Sequence, residues 1–296
     1  MQFAVFSFNR GAFLAHCLKS LERCAPEAQV TIYDDASSDA ETVQVLQGAS
    51  ARHRVVNCRA ENLQGGRGGL HANMQRALEE AESDQPLAMV QDDMQLVRPL
   101  DAQDLESVQR IFSADPQTRF VHPCFLKGSN REKDQRRTFW HAPSQSYRRL
   151  PEKRGAGVYY SDVCIVLPQR LLADGWNFAQ RESGNEAMAR ERYPQMNLLR
   201  DPFLMWLPAV PVYRGRRKTW SLQQAEKQLQ AGLHPFRMLD TQAIQSLRQR
   251  PQEQLPVAED WLELEQDVLP RPWRYDPFQG SNVLRNLDRL ERKFAR

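Results

Sequence analysis

The first 91 residues set strand-length apolar runs against segments of helical period, and this alternation most constrains the fold. FAVFSF (residues 3–8), AQVTIYDD (28–35), RVVNCR (54–59) and PLAMVQ (86–91) read as strands. Between the first two, Phe13, Leu14, Cys17, Leu18 and Leu21 recur at helical spacing over residues 11–24, and Pro26 closes that helix. Ser38 or Asp39 can cap a second helix, with Glu41 and Thr42 in its first turn. A glycine-rich turn then leads to a third, with Leu70, Met74, Ala77, Leu78 and Ala81 on one face. Repeated β-α units predict an α/β fold, Rossmann-like, with a mostly parallel, twisted central sheet flanked by helices. In such sheets ligands bind outside the carboxyl ends of the strands. Asn9–Arg10, Asp34–Asp35 and Asp92–Asp93 all fall at those ends.

Further along, residues 101–114 predict a helix, and RFVHPCFL (119–126) and GVYYSDVCIVLP (157–168) predict strands. Between those strands, residues 127–154 carry nine Lys or Arg against three acidic residues, interleaved with Phe139, Trp140 and Tyr147. That stretch reads as a solvated loop or as a lid over a bound ligand. A helix is expected from about Asn185, and FLMWLPAVPVYRGRR (203–217) reads as edge strand or bends because Pro208 and Pro211 interrupt it. From Thr219 onward the chain is mainly helical. The expected organisation is residues 1–218 as one domain, in halves 1–98 and 99–218, and 219–296 as a helical C-terminal extension. Val283, Leu284, Leu287, Leu290 and Phe294 form one stripe on a basic terminal helix, which reads first as a packing element or an oligomer contact. A peripheral membrane contact is the alternative.

The net charge of +3 over 296 residues gives no basis for nucleic-acid binding. No apolar run approaches the roughly 20 residues of a membrane span, and the amino terminus lacks the pattern of a secretion signal. Five scattered cysteines without a CxxC pair suit reduced core thiols in a cytoplasmic protein.

Four pieces in order, FSFNRGAFLAHCLKSL, VTIYDDASSDAET, ENLQGGRGGLHANMQRAL and VQDDM, resemble those of a GT-A fold glycosyltransferase of the family 2 type. The resemblance covers about the first 215 residues and implies that 1–98 form the nucleotide-binding half and 99–218 the acceptor-binding half. It implies a nucleotide-sugar donor, with uridine as the family-level expectation for its base. The acceptor would be a hydroxyl on a glycan, a lipid-linked or another molecule, and Mn²⁺ or Mg²⁺ the cofactor. VQDDM stands where the family carries its DxD motif, which makes Asp93 the metal ligand and gives Asp92 the ribose or a water-mediated contact. Ser7, Asn9, Arg10, Asp34 and Asp35 would meet the nucleotide, with Arg67 at the diphosphate. Ser38 and Asp39 suffice as helix caps, which leaves Asp34 without a local partner. For an inverting general base the nearest counterpart of the family's acidic pair is RESGNEAMARER (181–192), which has no contiguous Glu-Asp; there Glu186 comes first and Glu182 second, with Asp162 third. Arg214 stands where many relatives place a histidine and can grip phosphate instead. Trp140, Tyr147 and Tyr159 can stack on sugar rings.

Two alternatives stand beside this reading. One is a catalytically silent nucleotide- or sugar-binding module of the same fold. The other, a sugar-phosphate nucleotidyltransferase, is disfavoured by SFNRGAF, which has a single glycine where that class carries a glycine-rich loop.

Overall fold

The structure, a computed structural model, describes residues 1–57, 69–151, 156–212 and 218–294. Its first half runs β1 (Gln2–Ser7), α1 (Gly11–Cys24), β2 (Gln29–Asp34), α2 (Ala40–Ala49), β3 (Arg54–Asn57), α3 (Gly69–Glu80), β4 (Leu87–Gln91) and β5 (Met94–Leu96). Then come α4 (Ala102–Ala114), β6 (Val121–His122), α5 (Arg131–Arg137), β7 (Thr138–His141), β8 (Ser146–Arg149), β9 (Cys164–Val166), α6 (Pro168–Ala173) and α7 (Glu182–Arg192). The chain continues through β10 (Asn197–Leu198), β11 (Leu204–Trp206), α8 (Trp220–Leu229), α9 (Thr241–Gln249), α10 (Ala258–Trp261) and α11 (Asn282–Phe294).

Among the described residues, nine strands form one sheet in the order β3-β2-β1-β4-β9-β6-β10-β8-β7. Pairing is parallel from β3 through β4, and only β8 and β9 run against the other strands. The long apolar runs exist because this sheet is covered on both faces. On β1, Ala4 and Phe6 enter one core with Met74, Ala77 and Leu78 of α3. Phe3 and Val5 enter the other, with Leu14, Cys17, Leu18 and Leu21 of α1 and Val108, Ile111 and Phe112 of α4. Strand β4 splits in the same period-two way, with Leu87 and Met89 to one side and Ala88 and Val90 to the other. Burying each large side chain contributes about 1.5–3 kcal/mol, so the register is held tightly. One residue past each run the chain leaves the core, and polar side chains begin.

The second half departs from expectation in detail. RFVHPCFL contributes only the two residues of β6, and residues 157–168 only the three of β9. The basic stretch is no extended loop: among its described residues it holds α5 and the β7–β8 hairpin that extends the sheet edge. Its arginines are partly absorbed there, Arg148 by Asp115 and Arg149 by Asp134. Strand β11 stops before Pro208 and pairs with β5 in a separate two-stranded sheet, with one further bridge from Leu204 to Cys124. A third core joins Val97, Phe125, Met205 and Leu207 to Phe236, Leu247, Leu262, Leu264 and Trp273, so residues after 219 pack directly against those before it. The four described cysteines are buried free thiols. No helix among the described residues is long and apolar enough to cross a membrane.

Candidate active site

Strand register brings the polar clusters together. Ser7 on β1 lies level with Asp34 on β2, and Phe6 with Gln91 on β4. The ladder runs one step further, where Asp35 N donates to Ser7 O at 3.0 Å and Asp92 N to Phe6 O at 3.0 Å. Ser7, Arg10, Asp35, Asn73, Gln91 and Asp92 therefore line one open cavity of about 240 Å³ above the sheet edge.

Asp34 does find a local partner: it accepts from Ser37 N at 2.7 Å and from Ser37 Oγ at 2.5 Å. Ser37 Oγ in turn accepts from Asn9 N, and Asn9 Oδ1 accepts from Ser38 N and Asp39 N. Asn9 sits at φ 49°, a left-handed conformation that asparagine tolerates. The turns after β1 and β2 are thereby locked to each other, and Asp35 is left facing the cavity. Its carboxylate packs so closely on Gly69, at the start of α3, that a side chain at that glycine would have to displace it. Burial, then the Asp34 charge, push Asp35 up to about 6.

Asp92 and Asp93 share a cation, Arg10, whose Nη1 lies 3.3 Å from Asp92 Oδ1 and 2.8 Å from Asp93 Oδ2. Phe8 N donates to the other Asp92 oxygen at 3.2 Å. Burial works against the Arg10 charge, but Asp93 and Asp92 outweigh it and hold the guanidinium above its ordinary value. Asp92 is pushed up to about 7 by burial, with Arg10 opposing and Asp93 adding to the shift. Among the described residues, the buried atoms Ser7 Oγ and Asp93 Oδ1 have no hydrogen-bond partner. No cluster of three or more metal-ligating side chains occurs among them either. The pair still fits a hard cation that draws its remaining oxygens from phosphate and water, since Asp93 keeps one buried oxygen open.

These shifts set a pH dependence. The native state holds Asp92 protonated where an unfolded chain would have released the proton. Its contribution to stability is fully present below the ordinary value of 3.8 and is lost as pH rises through about 7. A cation that needs the carboxylate charged must displace that proton. Metal-assisted nucleotide binding is expected to weaken about tenfold per pH unit below about 7, measured by calorimetry between about pH 6 and pH 8. Affinity that stays level across that range would remove Asp92 from the site.

A second cavity, of about 210 Å³, is lined by His122, Lys127, Asn130, Arg149, Glu182 and Trp206 among others. Glu182 begins α7, where burial and then the Asp162 charge raise its carboxyl above the ordinary range. Lys127 Nζ lies 4.2 Å from the ring centre of Trp206 and 4.6 Å from that of Tyr275. Burial lowers the Lys127 ammonium, while Cys124, Asp93 and Glu182 hold its charge. His122 is depressed to about 3 by burial and stays neutral.

The other base candidates are already engaged. Glu186 accepts from Val158 N, Tyr159 N and Tyr160 N at 2.9–3.2 Å, which fixes the loop ahead of β9. Removing it strands three buried donors, so Glu186→Ala is expected to cost about 3 kcal/mol in urea unfolding. A wild-type midpoint would show that the clamp is not needed. Asp162 accepts from Tyr160 Oη at 2.8 Å and pairs with His71 Nε2 at 2.9 Å. Trp140 lies on the hairpin, 5.2 Å from Tyr147 edge-on and under Arg200, and Tyr159 is buried in the core; neither lines the second cavity. Arg67 and Arg214 fall outside the described residues. Sequence reasoning passed over Lys127, Trp206 and Tyr275, although Lys127 ends the apolar run 119–126 as the aspartates end theirs.

Comparison with solved structures places several glycosyltransferases beside this chain. Residues 1–349 of S. aureus TarS are 18% identical with a TM-score of 0.44, covering 69% of this chain and 59% of that one. The same protein in complex with UDP is 16% identical with a TM-score of 0.45, covering 69% and 60%. The mannosyltransferase PcManGT from Pyrobaculum calidifontis, in complex with GDP-Man and Mn²⁺, is 13% identical with a TM-score of 0.47, covering 98% and 69%. The chain thus spans 59% of the TarS segment. A search of curated protein sequences finds no match. The sequence profile of glycosyl transferase family 2 matches residues 3–176, more than half of the chain and all of the strand-end clusters from Asn9–Arg10 to Asp92–Asp93. The chain belongs to glycosyl transferase family 2.

Proposed function

We propose that the chain transfers a sugar from a nucleoside diphosphate sugar, UDP-linked in this reading, to a hydroxyl acceptor with inversion. The observation that carries the proposal is the cavity over β1, β2 and β4, where Arg10 bridges Asp92 and Asp93. Asp35 and Ser7 line its wall and suit the polar edge of a nucleoside. Arg10 is placed to turn from the carboxylates toward a diphosphate once a cation takes its position. A divalent Mn²⁺ or Mg²⁺ held by Asp93, with Asp92 in support, would neutralise charge on the departing diphosphate. Lys127 lines the second cavity with Glu182 and adds a positive charge that both Glu182 and Asp93 favour. Glu182 serves as the base: its raised affinity for protons suits it to take one from the acceptor hydroxyl as the sugar is attacked. Attack from the base's side, opposite the leaving group, inverts the anomeric centre.

A silent binding module remains the second reading, because Glu186 is held by backbone donors and the position after it is Ala187. Calorimetric titration with UDP, GDP and CDP, each with and without Mn²⁺, tests the proposal. One nucleotide should bind, and more tightly with metal. If none binds, the donor assignment fails. Binding without donor hydrolysis or transfer across an acceptor panel selects the silent module.

A further inference from the structure

Helix α11 holds the protein by its polar side. Asp288 is buried and accepts from Thr219 Oγ1 at 2.6 Å and from Arg292 Nε at 2.7 Å. Glu291 accepts from Ser221 N at 3.2 Å and Ser221 Oγ at 2.7 Å. Of the apolar stripe only Leu284 packs inward, on the small core of Leu222, Ala225 and Phe278. Val283, Leu287, Leu290 and Phe294 are left 71%, 37%, 49% and 88% exposed. Their spacing of four, three and four residues sets them in one line along the helix. Single exposed apolar residues are ordinary, but an uninterrupted row along one helix marks a contact surface. Trp220, flanked by the two residues that bond α11, is also 59% exposed.

Charge says what covers this face. Both carboxylates of α11 are turned to α8, while Arg289 and Lys293 are exposed beside the apolar row. Among the described residues of α11, the exposed side thus carries cations and no anion. A second copy of the chain would bring those cations toward each other; anionic headgroups attract them. We propose that α11 lies in the plane of an anionic membrane surface, with Val283, Leu287, Leu290 and Phe294 in the headgroup–acyl boundary. The contact is peripheral and independent of the proposed transfer chemistry.

Co-sedimentation of the full chain tests it, using vesicles of phosphatidylcholine alone and of phosphatidylcholine mixed equally with phosphatidylglycerol. Wild type should partition to the mixed vesicles and leave them as salt rises. Leu287→Ser with Leu290→Ser should lower partitioning roughly tenfold or more while keeping the thermal melt, because both sites are exposed. Arg289→Ala with Lys293→Ala should lower it about thirtyfold, as each cation contributes about 1 kcal/mol. Absence of partitioning to mixed vesicles, or partitioning unchanged in the serine variant, overturns the proposal. A dimer in light scattering that the serine variant dissociates, without vesicle binding, assigns the face to a second copy and overturns it equally.

Discussion

Asp93→Ala is expected to remove metal-assisted nucleotide binding and to lower kcat/KM by roughly a thousandfold, about 4 kcal/mol of lost stabilisation. The expectation rests on its two oxygens. One is held by Arg10 at 2.8 Å, and the other is buried without a partner among the described residues. A cation reaching that oxygen replaces an unsatisfied buried acceptor with a strong ligand bond. The folded state should survive the substitution, since it relieves repulsion from Asp92 and leaves Arg10 its second carboxylate at 3.3 Å. Calorimetry with Mn²⁺ and the bound nucleotide reads the first effect, and a thermal melt reads the second. Nucleotide affinity that is independent of Mn²⁺ in wild type and unchanged in the variant would discard the metal role. It would leave Arg10 as the cation that meets the diphosphate.

Glu182→Gln is expected to lower kcat by about 10²–10⁴ while leaving donor affinity within a few fold of wild type. Glutamine keeps the size and polarity but cannot take a proton. In wild type the acidic limb of the kcat profile should lie above the ordinary glutamate range, because burial and Asp162 raise that carboxyl. In the variant the limb should vanish. Full turnover in Glu182→Gln would move the base elsewhere. The same variant separates base from structural carboxylate, since Glu186→Ala should act on stability and Glu182→Gln on rate.

The parallel half of the fold was legible in the sequence because both of its faces are buried. Phe3–Phe6 and Leu87–Val90 had to be apolar throughout, and the first polar residue past each run had to mark the strand end. The second half was less legible. β6 and β9 are two and three residues long within largely apolar segments of eight and twelve, so those segments reported burial rather than strand length. Among site residues, Arg10 and Asp93 lie 83 apart in sequence and meet only through the register of β1 and β4. Lys127 lies between Trp206 and Tyr275, which no local pattern connects.

Local chemistry thus determined the β-α order, the position of each strand end and the residue types gathered there, since periodicity and turn composition act over a few neighbours. The tertiary structure decided what those residues do for one another. Asp34 closes a turn while Asp35 faces the cavity, and Glu186 clamps backbone while Glu182 lines an opening. The same separation holds at α11, whose stripe was plain in sequence but whose outward direction depended on Asp288 and Glu291 finding Thr219 and Ser221. Hydrogen bonds and burial between distant segments set those choices, and a single stretch of chain does not encode which distant partner it will meet.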